Sequence, residues 1–269
     1  MRREPLLIEV PYDLGHELVG SGAGVGPIVE AIGHASVVVD RDAPFQHEIG
    51  SAFEVLRALS RTVRAAVAAG RFPLVVAGNC ASAVGTVAGL DRADLGVVWL
   101  DAHADFNTPD TTASGYFEGM ALALLTGSGF DTLRGSIDGH RPVPEERVVL
   151  LARDVDAGEG RRLEASNVRH VEPALLDGAL DELAQKVGAV YLHVDLDVLD
   201  PSEGRANFLA VEGGLSLAEL ERAVGAVLER FDVAAAAITW YEPRVDPEGL
   251  IPPKAAVVAG RLIAEKAHA

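Results

Sequence analysis

The chain has 269 residues, 49% of them hydrophobic, and its 40 Asp and Glu against 23 Lys and Arg give a formal net charge of −17. So acidic a surface repels phosphate backbones and anionic headgroups, which argues against nucleic-acid and membrane partners. A single cysteine excludes an internal disulfide and fits a reducing, cytoplasmic setting.

In chain order, the opening MRREPLLIEV is basic, but its apolar run is too short for a signal peptide. Its LLIEV (6–10) predicts the first strand, followed by ASVVV (35–39), PLVVA (73–77), LGVVWL (95–100), RVVLLA (147–152), NVRHV (167–171), AVYLHVDLDV (189–198) and AAAAITW (234–240). Most of these runs are apolar on both faces, as parallel strands covered by helices on both sides require. Residues 48–70 carry apolar side chains at helical spacing and stop at Gly70. Residues 216–231 begin with Ser216 and Glu219 at capping-box spacing. The alternation predicts an α/β fold: three layers, α/β/α, with a mainly parallel sheet of about eight strands in a single domain, 1–269. The stretches 127–146 and 200–214 are the expected loop excursions. The glycine-rich segment Gly20–Gly26 lacks the GK[ST] ending of a phosphate-binding loop, and Pro27 reads as a helix opener.

Functional groups of a parallel α/β sheet gather at the carboxyl ends of its strands. LGVVWL runs into Asp101-Ala-His103-Ala-Asp105, and AVYLHV into Asp195-Leu-Asp197-Val-Leu-Asp200-Pro. In extended chain each set points to one side. Several buried carboxylates cannot stay ionised together without a cation, and oxygen-rich donors with an imidazole suit a hard to borderline divalent metal such as manganese. The alternative is that these aspartates merely cap turns and helices. His193 shares the face of Asp195 but reads as a strand residue or a neighbour of the ligands.

These motifs resemble those of the ureohydrolases: arginase, agmatinase, formiminoglutamase and relatives. Asp101–Asp105 matches their DAHxD, Asp195–Pro201 matches DxDxxDP, and VPYDLG with GVGP (10–15, 24–27) resembles their opening strand and loop. The resemblance implies two metals per subunit, Mn(2+) first, held by Asp101, His103, Asp105, Asp195 and Asp197. Arginases are the most similar members. On that likeness Asn107 and Ser114 would bind a substrate α-carboxylate, and Asp156, with Glu159 in the same segment, its α-amino group. Glu242 would orient a guanidinium group, and Asp105 would accept the proton of the attacking water. The family also implies a homo-oligomer, trimer or hexamer.

Three positions depart from the pattern. Ala77-Gly78-Asn79-Cys80-Ala81 stands where the family has GGDHS, so Cys80 replaces a metal-binding histidine. A thiolate there would favour zinc or iron(II). A thiol would leave one metal weakened or lost, and a third reading is a small buried apolar side chain. Glu118 takes the place of an arginase histidine thought to shuttle protons, and could act as acid or base if its pKa were raised. Leu209 replaces a hydroxyl that would approach the substrate. The expected function is metal-dependent hydrolysis of a guanidino or amidino C–N bond in a small substrate. The alternative is a catalytically impaired relative that binds a metal or an amino acid, or regulates another enzyme.

Overall fold

The computed structural model describes residues 3–268; Met1, Arg2 and Ala269 lie outside them. Eight strands form one sheet: β1 (Pro5–Val10), β4 (Ser36–Val38), β5 (Phe72–Ala77), β6 (Leu95–Leu100), β7 (Val148–Leu151), β8 (Arg169–Val171), β9 (Ala189–Asp195) and β10 (Asp232–Thr239). Their order is β4-β1-β5-β10-β9-β6-β7-β8, and every neighbouring pair is parallel. The strands β2 (Tyr12–Asp13) and β3 (His16–Glu17) make a small antiparallel hairpin beside it.

Helices cover both faces, which explains why the central strands are apolar along most of their length. Trp99, Tyr191 and Ala235 face one core with α2 (Glu48–Ala68), α3 (Ser82–Leu90) and α4 (Ala121–Thr126). Val98, Leu192 and Ile238 face the other, with α1 (Val25–Ile32), α7 (Leu176–Ala184), α8 (Leu217–Arg230) and α9 (Ile251–His268). Two further helices, α5 (Asp131–Arg134) and α6 (Ala157–Ala165), lie in the connections. The capping box predicted at Ser216 and Glu219 forms. Among the described residues no helix is long and apolar enough to cross a membrane.

The small residues after Cys80 have a packing reason. A Cβ on Gly85 would stand 2.6 Å from the Leu56 carbonyl oxygen, and one on Gly89 2.6 Å from that of Ser60. The pair lets α3 sink against α2 until every residue of α3 is buried. Gly78 is tighter still, because a Cβ there would meet the Tyr12 carbonyl oxygen at 2.3 Å.

One predicted strand is shortened. The run 189–198 ends at Asp195, whose Oδ1 accepts the Asp197 N–H at 2.8 Å and turns Leu196–Val198 into a single 3-10 turn. Asp197 therefore reaches the site from a turn rather than from the strand face. The excursion 200–214 is pinned by Asp200, whose Oδ2 accepts from the Gly213 and Gly214 N–H groups.

Candidate metal centre and substrate cleft

The adjacent strands β5, β10, β9 and β6 all end at one place, and each delivers a polar side chain there. β6 delivers Asp101 and then His103 and Asp105, β9 His193, Asp195 and then Asp197, β10 Thr239, and the loop after β5 Cys80. Two groups of donors result. In the outer one, ligand atoms of Asp101, His103 and Asp197 lie within 4.8 Å of one another; in the inner one, those of Cys80, Asp101, His193 and Asp195 do.

In the outer group His103 Nδ1 stands 3.2 Å from Asp197 Oδ2 and 3.5 Å from Asp101 Oδ1 but makes no hydrogen bond to either. The carboxylates are held from behind. Trp99 Nε1 donates to Asp101 Oδ2 at 2.9 Å, Ala102 N to Asp197 Oδ1 at 3.1 Å, and Asn207 Nδ2 to Asp197 Oδ2 at 3.0 Å. Burial pulls the His103 imidazole down, but Asp101 and Asp197 outweigh it and push it up to about 12. Burial likewise opposes ionisation of Asp197, yet His103 and Asn207 hold it at about 2. This group demands a positive charge, and a buried imidazole nitrogen without a hydrogen bond, facing two oriented carboxylates, fits a divalent cation.

The inner group is different. Cys80 Sγ donates to Asp195 Oδ2 at 2.8 Å, and Thr239 Oγ1 lies 3.3 Å from Cys80 Sγ, 3.3 Å from Asp195 Oδ2 and 3.2 Å from His193 Nε2. His193 Nδ1 is 2.9 Å from the Tyr191 hydroxyl, and its ring stacks on Trp99 at 3.6 Å. Burial, followed by the Asp195 charge, drives the Cys80 thiol well above its ordinary range. Burial drives His193 down to about 3, so its imidazole is neutral. Asp105 falls outside both groups. Its Oδ2 is buried without a partner, and burial, then Asp101 and Glu118, raise its pKa well above the carboxylate range.

A cleft of about 230 Å³ opens above the outer group, lined at its floor by His103, Asp105 and Trp240 and at its rim by Asn107, Thr112, Ser114, Asp156 and Glu159. The rim is bound together. Asp156 caps α6 by accepting from the Gly158 and Glu159 N–H groups, and its Oδ2 accepts from Asn107 Nδ2 at 2.7 Å. Burial works against its ionisation, but these donors outweigh it and hold its pKa below the usual range. Glu159 accepts from Phe106 N at 3.0 Å, while burial raises its pKa. Asp156 is thus both a helix cap and a cleft residue.

Leu209 lines the cleft; Glu118 and Glu242 do not. Glu118 is buried behind it, one oxygen accepting from the N–H groups of Cys80 and Ala81 and the other unpartnered. Burial raises it to about 8 against those two donors. Glu242 forms a two-pronged pair with Arg244, at 2.8 and 2.9 Å. Glu242, expected to orient a guanidinium group, is absent from the lining, and the cleft is walled instead by Trp240, whose backbone takes a left-handed φ of 59° directly after β10. Tyr116, Asp154 and Thr112 also line the cleft without having been singled out, and Asn207 holds Asp197. Only their place in loops after strands β6, β7 and β9 marks them in the sequence.

A model of the Arginase family matches residues 7–268. Arginase of Brevibacillus brevis is 31% identical over 285 residues, covering 93% of this chain and 94% of the relative. Arginase of Bacillus caldovelox is 33% identical over 221 residues, covering 77% and 74%. The crystal structure of arginase from Bacillus cereus superposes with a TM-score of 0.87 at 28% identity, over 97% of this chain and 98% of that one. With an eight-stranded parallel sheet, a carboxylate and imidazole cluster at its strand ends and these relatives, the chain belongs to the arginase, or ureohydrolase, family of metal-dependent amidino hydrolases.

Proposed function

We propose that this protein hydrolyses a guanidino or amidino C–N bond in a small, amino-acid-like molecule, releasing urea, or an amide from an amidine. The observation that carries this reading is the joining of two chemistries in one cleft. Asn107, Ser114 and Asp156 stand at the rim, and His103 and Asp105 at the floor. Asp101, His103 and Asp197 would hold a divalent metal, which would supply Lewis-acid chemistry and lower the pKa of water.

The chain's own residues do the rest. The Asp156 carboxylate pairs with a substrate ammonium group, and the Asn107 amide and Ser114 hydroxyl, with Thr112 beside it, receive a carboxylate. Asp105 Oδ2, buried and without a partner, takes up the proton released at the floor. Trp240 offers an indole to a planar cation in the place where a carboxylate was expected, an attraction of about 1–2 kcal/mol in a desolvated site. The likeness to the family extends the proposal to a cytoplasmic homo-oligomer.

A second reading is favoured by one contact, the capture of Glu242 by Arg244: a family member that binds such a molecule without turning it over. The deciding experiment loads the protein with Mn(2+) and offers arginine, agmatine, shorter guanidino acids and amidines. Release of urea or amide, fastest with substrates bearing both α-groups and with KM raised in Trp240→Leu, supports hydrolysis. Calorimetric binding without product from any of them supports the second reading, and neither binding nor product removes both.

A further inference from the structure

We infer that this chain binds one metal per subunit, in the outer group, and that a knot of hydrogen bonds centred on Thr239 takes the place of a second cation. The inference deepens the metal-dependent reading above and rests on it.

The argument is geometric. A zinc-like ion would need to lie about 2.0–2.3 Å from sulfur, nitrogen and oxygen donors alike. In the inner group a hydroxyl oxygen already sits at the hub. Thr239 Oγ1 is 3.2–3.3 Å from His193 Nε2, Cys80 Sγ and Asp195 Oδ2, which are hydrogen-bond distances for N, S and O partners. The thiol closes the ring by donating to Asp195 Oδ2. The other Asp195 oxygen accepts the Asp197 N–H, and the other His193 nitrogen meets the Tyr191 hydroxyl. No side-chain nitrogen or oxygen of Thr239, His193, Asp195 or Tyr191 is a buried atom without a partner. A buried polar group with its hydrogen bonds made gains little from a cation that must first break them.

The outer group contrasts on each count. Its imidazole nitrogen has no hydrogen bond, although carboxylate oxygens approach to 3.2 and 3.5 Å. Among the described residues no hydroxyl bonds to its carboxylates, whose partners are nitrogen donors. Cys80 is what separates the two halves: its thiol donates to Asp195 Oδ2, and the Thr239 hydroxyl, in reach of both Cys80 and His193, completes the knot.

The test is metal stoichiometry together with a spectrum. Protein saturated with Mn(2+) or Co(2+), freed of excess and analysed by mass spectrometry should hold about one ion per chain. Its cobalt form should lack a thiolate-to-cobalt charge-transfer band. Cys80→Ser should keep the ion and His103→Ala should lose it, with circular dichroism confirming that each is folded. Two ions per chain, a thiolate–cobalt band, or loss of the ion in Cys80→Ser would overturn the inference; the first two leave hydrolysis standing. If either variant misfolds, the native stoichiometry and cobalt spectrum still decide. No ion and no product from folded protein removes both the inference and the metal-dependent hydrolase.

Discussion

The floor and the rim of the cleft are built on opposite plans. The floor is made of strand ends in a sheet buried on both faces, and its polar groups are locked by one another and by Trp99, Asn207 and Thr239. The rim is a loop, 107–116, laid against the N-terminus of α6 and partly exposed. Of the three departures from the family pattern, Cys80 and Glu118 fall behind the floor and Leu209 lines the cleft, while Asn107, Ser114 and Asp156 keep the rim. On the function proposed above, the contrast teaches that the end receiving the amino-acid group is kept and the end facing the metal is altered.

Four changes would break or sharpen that contrast, in falling order of expected effect. Gly78→Ala strikes the floor's scaffold. Its Cβ would meet backbone atoms of Tyr12 and Gly22 at 2.3 and 2.8 Å, so a loss of about 3 kcal/mol or more is expected in urea unfolding. Asp156→Asn keeps the helix cap but removes the rim charge. It should raise KM for an ammonium-bearing substrate about 10–100-fold, the worth of a hydrogen bond to a charged group, with metal content unchanged. Equal effects on substrates with and without the ammonium would remove that role.

Glu118→Gln probes burial at the floor. Burial raises this carboxyl from 4.5 to about 8, so the folded state binds the proton more tightly than the unfolded one. Its favourable contribution is full below pH 4.5 and fades as pH rises through about 8. The native melting temperature should therefore fall over that window more steeply than that of the glutamine variant; parallel curves would contradict the shift. Gly115→Ala should matter least. A Cβ there meets open space, and only the positive φ of 72° opposes it, a cost of about 1 kcal/mol.

The central strands were legible because burial on both faces leaves unbroken runs such as LGVVWL, and the DAHAD and DLDVLDP segments were legible because carboxylates are costly at the ends of such runs. Three features were not. Whether Glu242 or Trp240 faces the cleft depends on the left-handed turn taken at Trp240, which no periodicity announces. Asp197 looked like a strand residue because alternation continues past Asp195, where a side-chain bond to backbone ends the strand. The part played by His193 depends on Thr239, 46 residues away on the neighbouring strand, and on a thiol from a third element.

The chain contains two tryptophans, and both belong to this corner of the molecule. Trp99 donates its indole N–H to Asp101 and lies on the His193 ring, and Trp240 walls the cleft. All indole emission from the protein therefore originates beside the candidate site. A label-free fluorescence titration reports on occupancy of the cleft, and a thermal melt followed by indole emission reports on order at this corner.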